Sequence, residues 1–209
     1  MARLLYIQAS PRGGRSYSTA AADAFVAAYK IGHPGDTVET LNVFHADLPV
    51  FDGAALEAKY AIMHGQEHTS QQRLAWSSVE AVIAQFKRAD KYLVAVPMWN
   101  FGIPYRLKQY IDVLVQPGYT FGIDANGYKG LVTGRPATVV YARGGEYPPG
   151  TPGEAYDLQK RYMELILGFI GFTDIRTIVV GPTLEGTRED QERVRVAGIE
   201  LARAAGRDF

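Results

Sequence analysis

Three short segments concentrate the residues able to do chemistry. The first, Ser10-Pro11-Arg12-Gly13-Gly14-Arg15-Ser16-Tyr17-Ser18-Thr19, holds hydroxyls, glycines and two arginines and no acid. It leaves an apolar run and enters a helical pattern. Free amide N–H groups at a helix start, joined by hydroxyl donors, form an anion site. A terminal monophosphate suits such a loop better than a pyrophosphate. It lacks both the Gly-Lys-Ser/Thr of a Walker loop and the Gly-x-Gly-x-x-Gly of a dinucleotide fold. An ordinary Ser-capped helix after a flexible turn would use the same residues. The second segment is Pro97-Met98-Trp99-Asn100-Phe101-Gly102. Its aromatics and amide offer a flat wall with hydrogen-bonding edges, fit for a planar heteroaromatic ring; a hydrophobic loop packed under its neighbour has the same composition. The third is Tyr141-Ala142-Arg143-Gly144-Gly145, whose paired glycines let backbone approach a ligand closely. Their amides could donate to a ring edge where negative charge develops on reduction, and a mobile glycine turn is the alternative.

The elements that must position these loops alternate between strand and helix. Continuous apolar runs at 4–7, 92–96 and 137–141 read as strands buried on both faces. A weaker alternating run at 38–43 reads as an edge strand, and 175–180 as the fifth. Helical stripes lie between them: Ala21, Ala22, Phe25, Val26 and Tyr29; residues 54–63; Ala75, Val79, Val82, Ile83 and Phe86 behind a Thr69/Gln72 capping box; residues 104–115; Leu158, Tyr162, Leu165, Ile166 and Phe169, stopped by Gly171; and Val194, Ala197, Gly198 and Leu201 after a start near Thr187. Residues 119–123 and 128–133 around Asn126-Gly127 read as an inserted hairpin near 118–134, and the Gly/Pro loop 144–153 as a candidate lid. The expected architecture is one α/β domain over 1–209. It is a flavodoxin-like three-layer sandwich, a five-stranded parallel sheet of order 2-1-3-4-5 with helices on both faces. In that order the three loops follow three adjacent strands, at the switch point where open α/β sheets bind ligands.

Composition excludes several classes. The 209 residues carry 22 Lys+Arg and 22 Asp+Glu, so the charge footprint of a non-specific nucleic-acid binder is missing. Cysteine is absent, which removes disulfides, thiolate metal sites and cysteine nucleophiles. No stretch approaches a membrane span, and the N-terminus does not read as a signal peptide, so a cytoplasmic location is expected. His64-Gly65-Gln66-Glu67-His68 matches a metalloprotease string, but Gly65 and the Thr69 cap interrupt the helix it needs; no metal is expected. Pro97-Met98 stands where a receiver domain needs Asp, and no Gly-x-Ser-x-Gly elbow is present.

At these loops the sequence resembles the FMN-dependent NADH:quinone oxidoreductases, the azoreductase family. The matching pieces are Ser10 with Ser16-Tyr17-Ser18, Met98-Trp99-Asn100-Phe101, Gly130-Leu131-Val132-Thr133-Gly134, Arg143-Gly144-Gly145 and Leu167-Gly168-Phe169-Ile170-Gly171. The resemblance implies a homodimer with one FMN per subunit near the interface. It also implies two-electron reduction by NADH or NADPH and transfer to quinone or azo acceptors. By the same resemblance Ser10, Ser16, Tyr17 and Ser18 hold the phosphate, and Met98, Trp99, Asn100 and Phe101 line the isoalloxazine. Ala142, Arg143, Gly144 and Gly145 close around the ring, through backbone contacts and the Arg143 side chain. Phe121, Tyr128 and Phe169 form aromatic walls of the acceptor pocket, partly supplied by the partner subunit. The family commonly has Tyr at position 99 and often Ser at 142; Trp99 keeps a stacking surface and a donor, while Ala142 loses a hydroxyl. With the flavin carrying the chemistry, no catalytic side chain is assigned. A reductase of free FMN, an iron-reducing partner and a non-enzymatic flavodoxin-type electron carrier are the alternatives. Zero net charge and the aromatic segments 118–134 and 145–172 weigh against the carrier.

Overall fold

The computed structural model describes residues 1–67 and 69–209. Five parallel strands form the sheet: β1 (Arg3–Gln8), β2 (Thr37–Asn42), β3 (Lys91–Pro97), β6 (Ala137–Ala142) and β7 (Ile175–Val180), in the order β2-β1-β3-β6-β7. Counting parallel strands alone, this is the expected 2-1-3-4-5. An antiparallel pair, β4 (Phe121–Asp124) and β5 (Gly127–Gly130), makes the hairpin, shorter than its apolar pattern suggested. Among the described residues six α-helices flank the sheet: α1 (Tyr17–Gly32), α2 (Gly53–Met63), α3 (Ser70–Lys87), α4 (Tyr105–Leu114), α5 (Leu158–Ile170) and α6 (Arg188–Arg207).

The continuous apolar strands are explained by two cores. Leu5, Ile7, Val94, Val96, Val139 and Tyr141 point to a core shared with α3, α4 and α5. Leu4, Tyr6, Leu93, Ala95, Val140 and Val180 point to the other, beneath α1 and α6. Alternate residues of one strand thus feed opposite layers, and both must be apolar. The edge strand β2 has one free side and no fully buried residue. Helix starts follow their caps: Ser16 accepts from the Thr19 amide, and Thr69/Gln72 and Thr187/Asp190 form capping boxes.

Two helical stripes need correction. On α5 the residues facing the sheet are Gln159, Met163, Leu167 and Ile170. Of the expected stripe, Tyr162, Ile166 and Phe169 pack half-buried at the margin of that core, while Leu158 is 50% and Leu165 70% exposed. This helix is apolar on two faces, and periodicity alone does not say which one meets the sheet. On α6 Leu201 is 58% exposed and Ala197 is exposed; the inward face is Gly198, Ala202 and Gly206. A Cβ on Gly206 would stand 2.3 Å from the Phe25 carbonyl oxygen, so α6 lies too close to α1 for larger side chains.

Between α2 and α3, Gly65 adopts φ +63 and the helix is broken, as the sequence suggested for the His64 string; His68 lies outside the described residues. Among the described residues no helix is long and apolar enough to cross a membrane.

Candidate functional site

The three chemistry-bearing loops all leave the C-terminal edge of the sheet, from neighbouring strands β1, β3 and β6. Direct hydrogen bonds join them. The Ala9 amide donates to the Ala95 carbonyl at 3.0 Å, and the Met98 amide to the Ala142 carbonyl at 2.7 Å.

In the first loop Ser10, Ser16 and Ser18 are all buried. A 3-10 turn at Gly13–Arg15 lifts the chain over the end of β1 and delivers Ser16 to the N-cap of α1. Ser16 Oγ lies 3.1 Å from Ser18 Oγ, and Ser10 Oγ accepts from the Arg12 amide at 3.3 Å. Tyr17 and Ser18 occupy the first turn of α1, not the loop, so their amides have no helical carbonyl to bond. The Thr19 hydroxyl is buried with no partner among the described residues. No acid occupies this first turn. Hydroxyl and amide donors with unspent capacity at the positive end of a helix suit a small dianion. Arg12 and Arg15 are exposed at its rim.

The second loop is a two-residue turn. Trp99 and Gly102 exchange backbone hydrogen bonds of 3.0 and 2.9 Å, and between them Asn100 (φ 47) and Phe101 (φ 68) both adopt the left-handed conformation. This is the geometry of a type I′ turn, in which Asn is favourable at the first position and Phe at the second costs on the order of 1–2 kcal/mol. Backbone strain of this kind clusters at functional sites. It presents Phe101, half-exposed, against Tyr156 at 5.1 Å between ring centroids. Trp99 is turned towards Phe44 (5.7 Å) and Tyr105 (6.3 Å), so its indole belongs to a cluster at the start of α4. Asn100 is exposed and Met98 half-buried.

In the third loop, Ala142 ends β6 almost fully buried. The Arg143 carbonyl accepts from the Thr183 amide and the Gly144 carbonyl from the Leu184 amide, at 3.0 and 3.1 Å. Among the described residues the amides of Gly144 and Gly145 donate to no protein acceptor, so they are available to a ligand. The Arg143 guanidinium does not reach over the ring loop as the sequence suggested. It forms a largely buried ion pair with Asp157, the N-cap of α5, and stacks near Tyr147. Arg143 and Asp157 thereby close the base of the segment that holds the candidate lid 144–153, which runs into the 3-10 helix Pro152–Tyr156.

Across the three loops there is no Asp, Glu, His, Lys or Cys. The site offers hydroxyls, amides, backbone N–H groups and permanently charged arginine, but no side chain placed to shuttle protons near neutrality. Such a lining binds and orients a reactive group brought from outside. Burial raises the Tyr141 hydroxyl far above its ordinary range and pushes Tyr162 up to about 12, so neither of these two phenols ionises near neutrality.

Phe121, Tyr128 and Phe169 form one cluster, with centroids 4.8, 5.5 and 6.0 Å apart. Gly171, left-handed at φ +117, ends α5 beneath the hairpin, and the Val132 amide bonds the Ile170 carbonyl at 2.8 Å. The cluster sits at the C-terminal end of α5, ~16 Å along the helix from Leu158. It therefore lies towards the opposite end of the sheet from the ring loops of its own chain, as the bond from Lys87 Nζ to the Tyr119 carbonyl also shows. Sequence reading missed Phe44, Tyr156, Asp157 and Gln159. Asp157 carries a legible signal, an N-cap residue just before an apolar helix; the others are joined to the site only by tertiary contacts.

A family model described as flavodoxin-like fold matches residues 2–202. A protein from Nitratidesulfovibrio vulgaris named FMN-dependent NADH:quinone oxidoreductase is 54% identical over 209 residues, 100% of both chains. The crystal structure of an azoreductase from Bacillus anthracis superposes with a TM-score of 0.92 at 29% identity, covering 100% of each chain. An FMN-dependent NADH-azoreductase from the same species, solved in complex with FMN, gives 0.86 at 26% identity, covering 99% of this chain and 100% of the other.

Proposed function

Since the chain belongs to the flavodoxin-like-fold family and shares 54% identity with a relative named FMN-dependent NADH:quinone oxidoreductase, we propose that it is an FMN-dependent oxidoreductase passing two electrons from NADH or NADPH to quinones and azo compounds. The observation that carries this reading is the convergence, at adjacent strand ends, of a buried hydroxyl cluster at a helix start with a strained aromatic turn and a pair of free glycine amides. The residues fit FMN: the unpartnered Thr19 hydroxyl and the acid-free first turn of α1 match its phosphate, and Trp99 to Gly102 with Gly144 and Gly145 match a planar ring with polar edges.

A bound FMN would supply the two-electron chemistry that links the pyridine nucleotide to the acceptor. The chain's part is positional. Ser10, Ser16, Tyr17 and Ser18 anchor the phosphate. Met98, Asn100 and Phe101 seat the ring, with Trp99 bracing the turn through Phe44 and Tyr105. The amides of Gly144 and Gly145 offer donors to the ring edge that gains charge on reduction. Ala142 contributes backbone and Arg143 fixes the loop through Asp157.

We include a homodimer in this reading, and the position of the aromatic cluster supports it. Phe121 and Tyr128 on the hairpin, with Phe169 at the C-terminal end of α5, cluster towards the far end of the sheet from the ring loops of their own chain, which supports a role in walling the partner's acceptor site. The exposed face of α5, with Leu158 and Leu165, adjoins an open groove of about 1000 Å³ between α4 and the ring loop, lined by Trp99, Ile103, Tyr105, Ile111, Tyr162 and Ile166. An apolar surface of this kind marks an interface, and a twofold axis would present each hairpin to the other subunit. The same proposal takes the enzyme to be cytoplasmic, acting on small molecules with no nucleic-acid or membrane partner.

The test is a visible spectrum of the FMN-loaded protein, taken anaerobically before NADH, after NADH and after a benzoquinone. Bleaching by NADH and return of colour with quinone are expected. A bound flavin that ignores NADH and NADPH would overturn the oxidoreductase, and no binding would overturn the cofactor.

A further inference from the structure

The first turn of α5 reaches back to the two ring loops through a side chain that the proposed function leaves unused. Gln159 is fully buried in a helix otherwise packed by Met163, Leu167 and Ile170. Its Nε2 donates to the Val96 carbonyl at 2.9 Å and lies 3.5 Å from the Ala142 carbonyl. These carbonyls belong to the ends of β3 and β6, from which the aromatic turn and the glycine pair emerge. The Ala142 carbonyl also accepts from the Met98 amide, so one side chain and one backbone bond close a ring through both loops. With two carbonyls on one side the amide orientation is fixed: its NH₂ must face them and its oxygen must point away. That oxygen, Oε1, is buried and has no donor among the described residues. An apolar side chain of similar size would fill the space and avoid the orphan acceptor, but could not tie the strand ends together.

We propose that Gln159 is a positioning residue for the flavin ring, setting the spacing between the aromatic turn at Trp99–Gly102 and the glycine amides at 144 and 145. The inference rests on the FMN reading above. Neither loop has another side chain that bonds both strand ends among the described residues. Beyond the β3–β6 ladder, which ends at Pro97 and Ala142, the loops would without this tie share only the Met98–Ala142 bond, and the ring would meet its donors at a less defined distance. Asp157, in the same turn, holds Arg143, so the start of α5 fixes the third loop at two points.

The test compares FMN dissociation constants of wild type, Gln159→Met and Gln159→Glu by flavin-fluorescence titration, with the visible spectrum of each complex. Methionine keeps the volume and removes the donor; its dissociation constant should rise about tenfold, the equivalent of one buried hydrogen bond, with a shifted flavin absorption band. Glutamate can donate to the Val96 carbonyl only when protonated, and burial favours that form. The ratio of its dissociation constant to that of wild type should therefore be small at pH 5.5 and exceed ten at pH 8. Taking the ratio cancels the ionisation of the FMN phosphate itself. A residue that only supported the fold would lower the melting temperature of both variants and leave that ratio flat. A methionine variant within twofold of wild type, or a glutamate ratio that does not move with pH, overturns the proposal. Should the methionine variant fail to fold, the glutamate ratio decides. Failure of the wild type to bind FMN would instead refute the cofactor reading, and this inference with it.

Discussion

Gly130→Ala should force the hairpin away from the end of α5, because the backbone of the two is in contact at this glycine. A Cβ built on Gly130 would lie 2.3 Å from the Gly171 nitrogen, 2.4 Å from its Cα and 2.5 Å from the Ile170 carbonyl carbon. Carbon atoms in contact sit about 3.5–4.0 Å apart, so the hairpin and the end of α5 must separate by about an ångström. All three obstructing atoms are backbone, so no rotamer relieves them. Overpacking of this kind costs about 1–3 kcal/mol. The Val132–Ile170 backbone bond of 2.8 Å is also lost, adding about 1 kcal/mol. The expected total is roughly 3 kcal/mol, or a melting-temperature drop of about 6–12 °C for a domain of this size. Because the phosphate and ring loops lie elsewhere, FMN affinity should stay within twofold while the acceptor KM rises through displacement of Phe121 and Tyr128. The control is Gly134→Ala, at φ +72 with nothing within 4 Å of the added carbon, which should cost only the backbone term of about 1–2 kcal/mol. Thermal unfolding of the two variants and quinone kinetics of the first decide the matter. Equal stability of Gly130→Ala and wild type would refute the docking of hairpin on helix. A normal acceptor KM alongside the expected destabilisation would refute the hairpin's place in the acceptor pocket.

Replacing Ser16 and Ser18 together by Ala removes two buried hydroxyls worth about 1 kcal/mol each, so the FMN dissociation constant should rise roughly thirtyfold; an unchanged constant refutes the phosphate assignment. Phe169→Ala should change kcat/KM for quinone more than FMN affinity, since its ring contacts Phe121 and Tyr128 and not the ring loops, and the reverse pattern would remove it from the acceptor wall. The hydrogen bonds from Thr187 hold the Asp190 carboxyl at about 2, below its ordinary 3.8. A folded value lower than the unfolded one means that its stabilisation is present above 3.8 and lost as pH falls through about 2. The stability gap between wild type and Asp190→Asn should therefore close over that window in acid titrations, and a gap independent of pH would exclude the charged cap.

The alternation of strand and helix and the composition of the three candidate loops were legible in the sequence because each rests on local chemistry, and the strand order followed from which apolar runs read as central and which as edge. Continuous apolar runs such as 92–96 declare burial on both faces, caps such as Thr69 and Thr187 declare helix starts, and hydroxyls and glycines after a strand declare a turn that can bind. What the sequence left open were questions of which partner a side chain meets. Leu158 and Leu165 share a stripe as regular as any in the chain, yet their neighbours Met163 and Leu167 took the sheet, since periodicity fixes a face but not its partner. Leu201 yielded its inward place to Ala202 and Gly206, the latter where α6 approaches α1 most closely, a distance fixed by packing between segments far apart in the chain. Arg143 turned from the ring loop to Asp157, and Gln159 was drawn beneath two strand ends, because a buried guanidinium needs a carboxylate and a buried carbonyl needs a donor wherever the fold brings one within reach. Local chemistry thus set the elements and the nature of the site. Only tertiary structure decided which groups were spent on holding it together and which were left free for a ligand, because that depends on distances between residues that the chain does not place side by side.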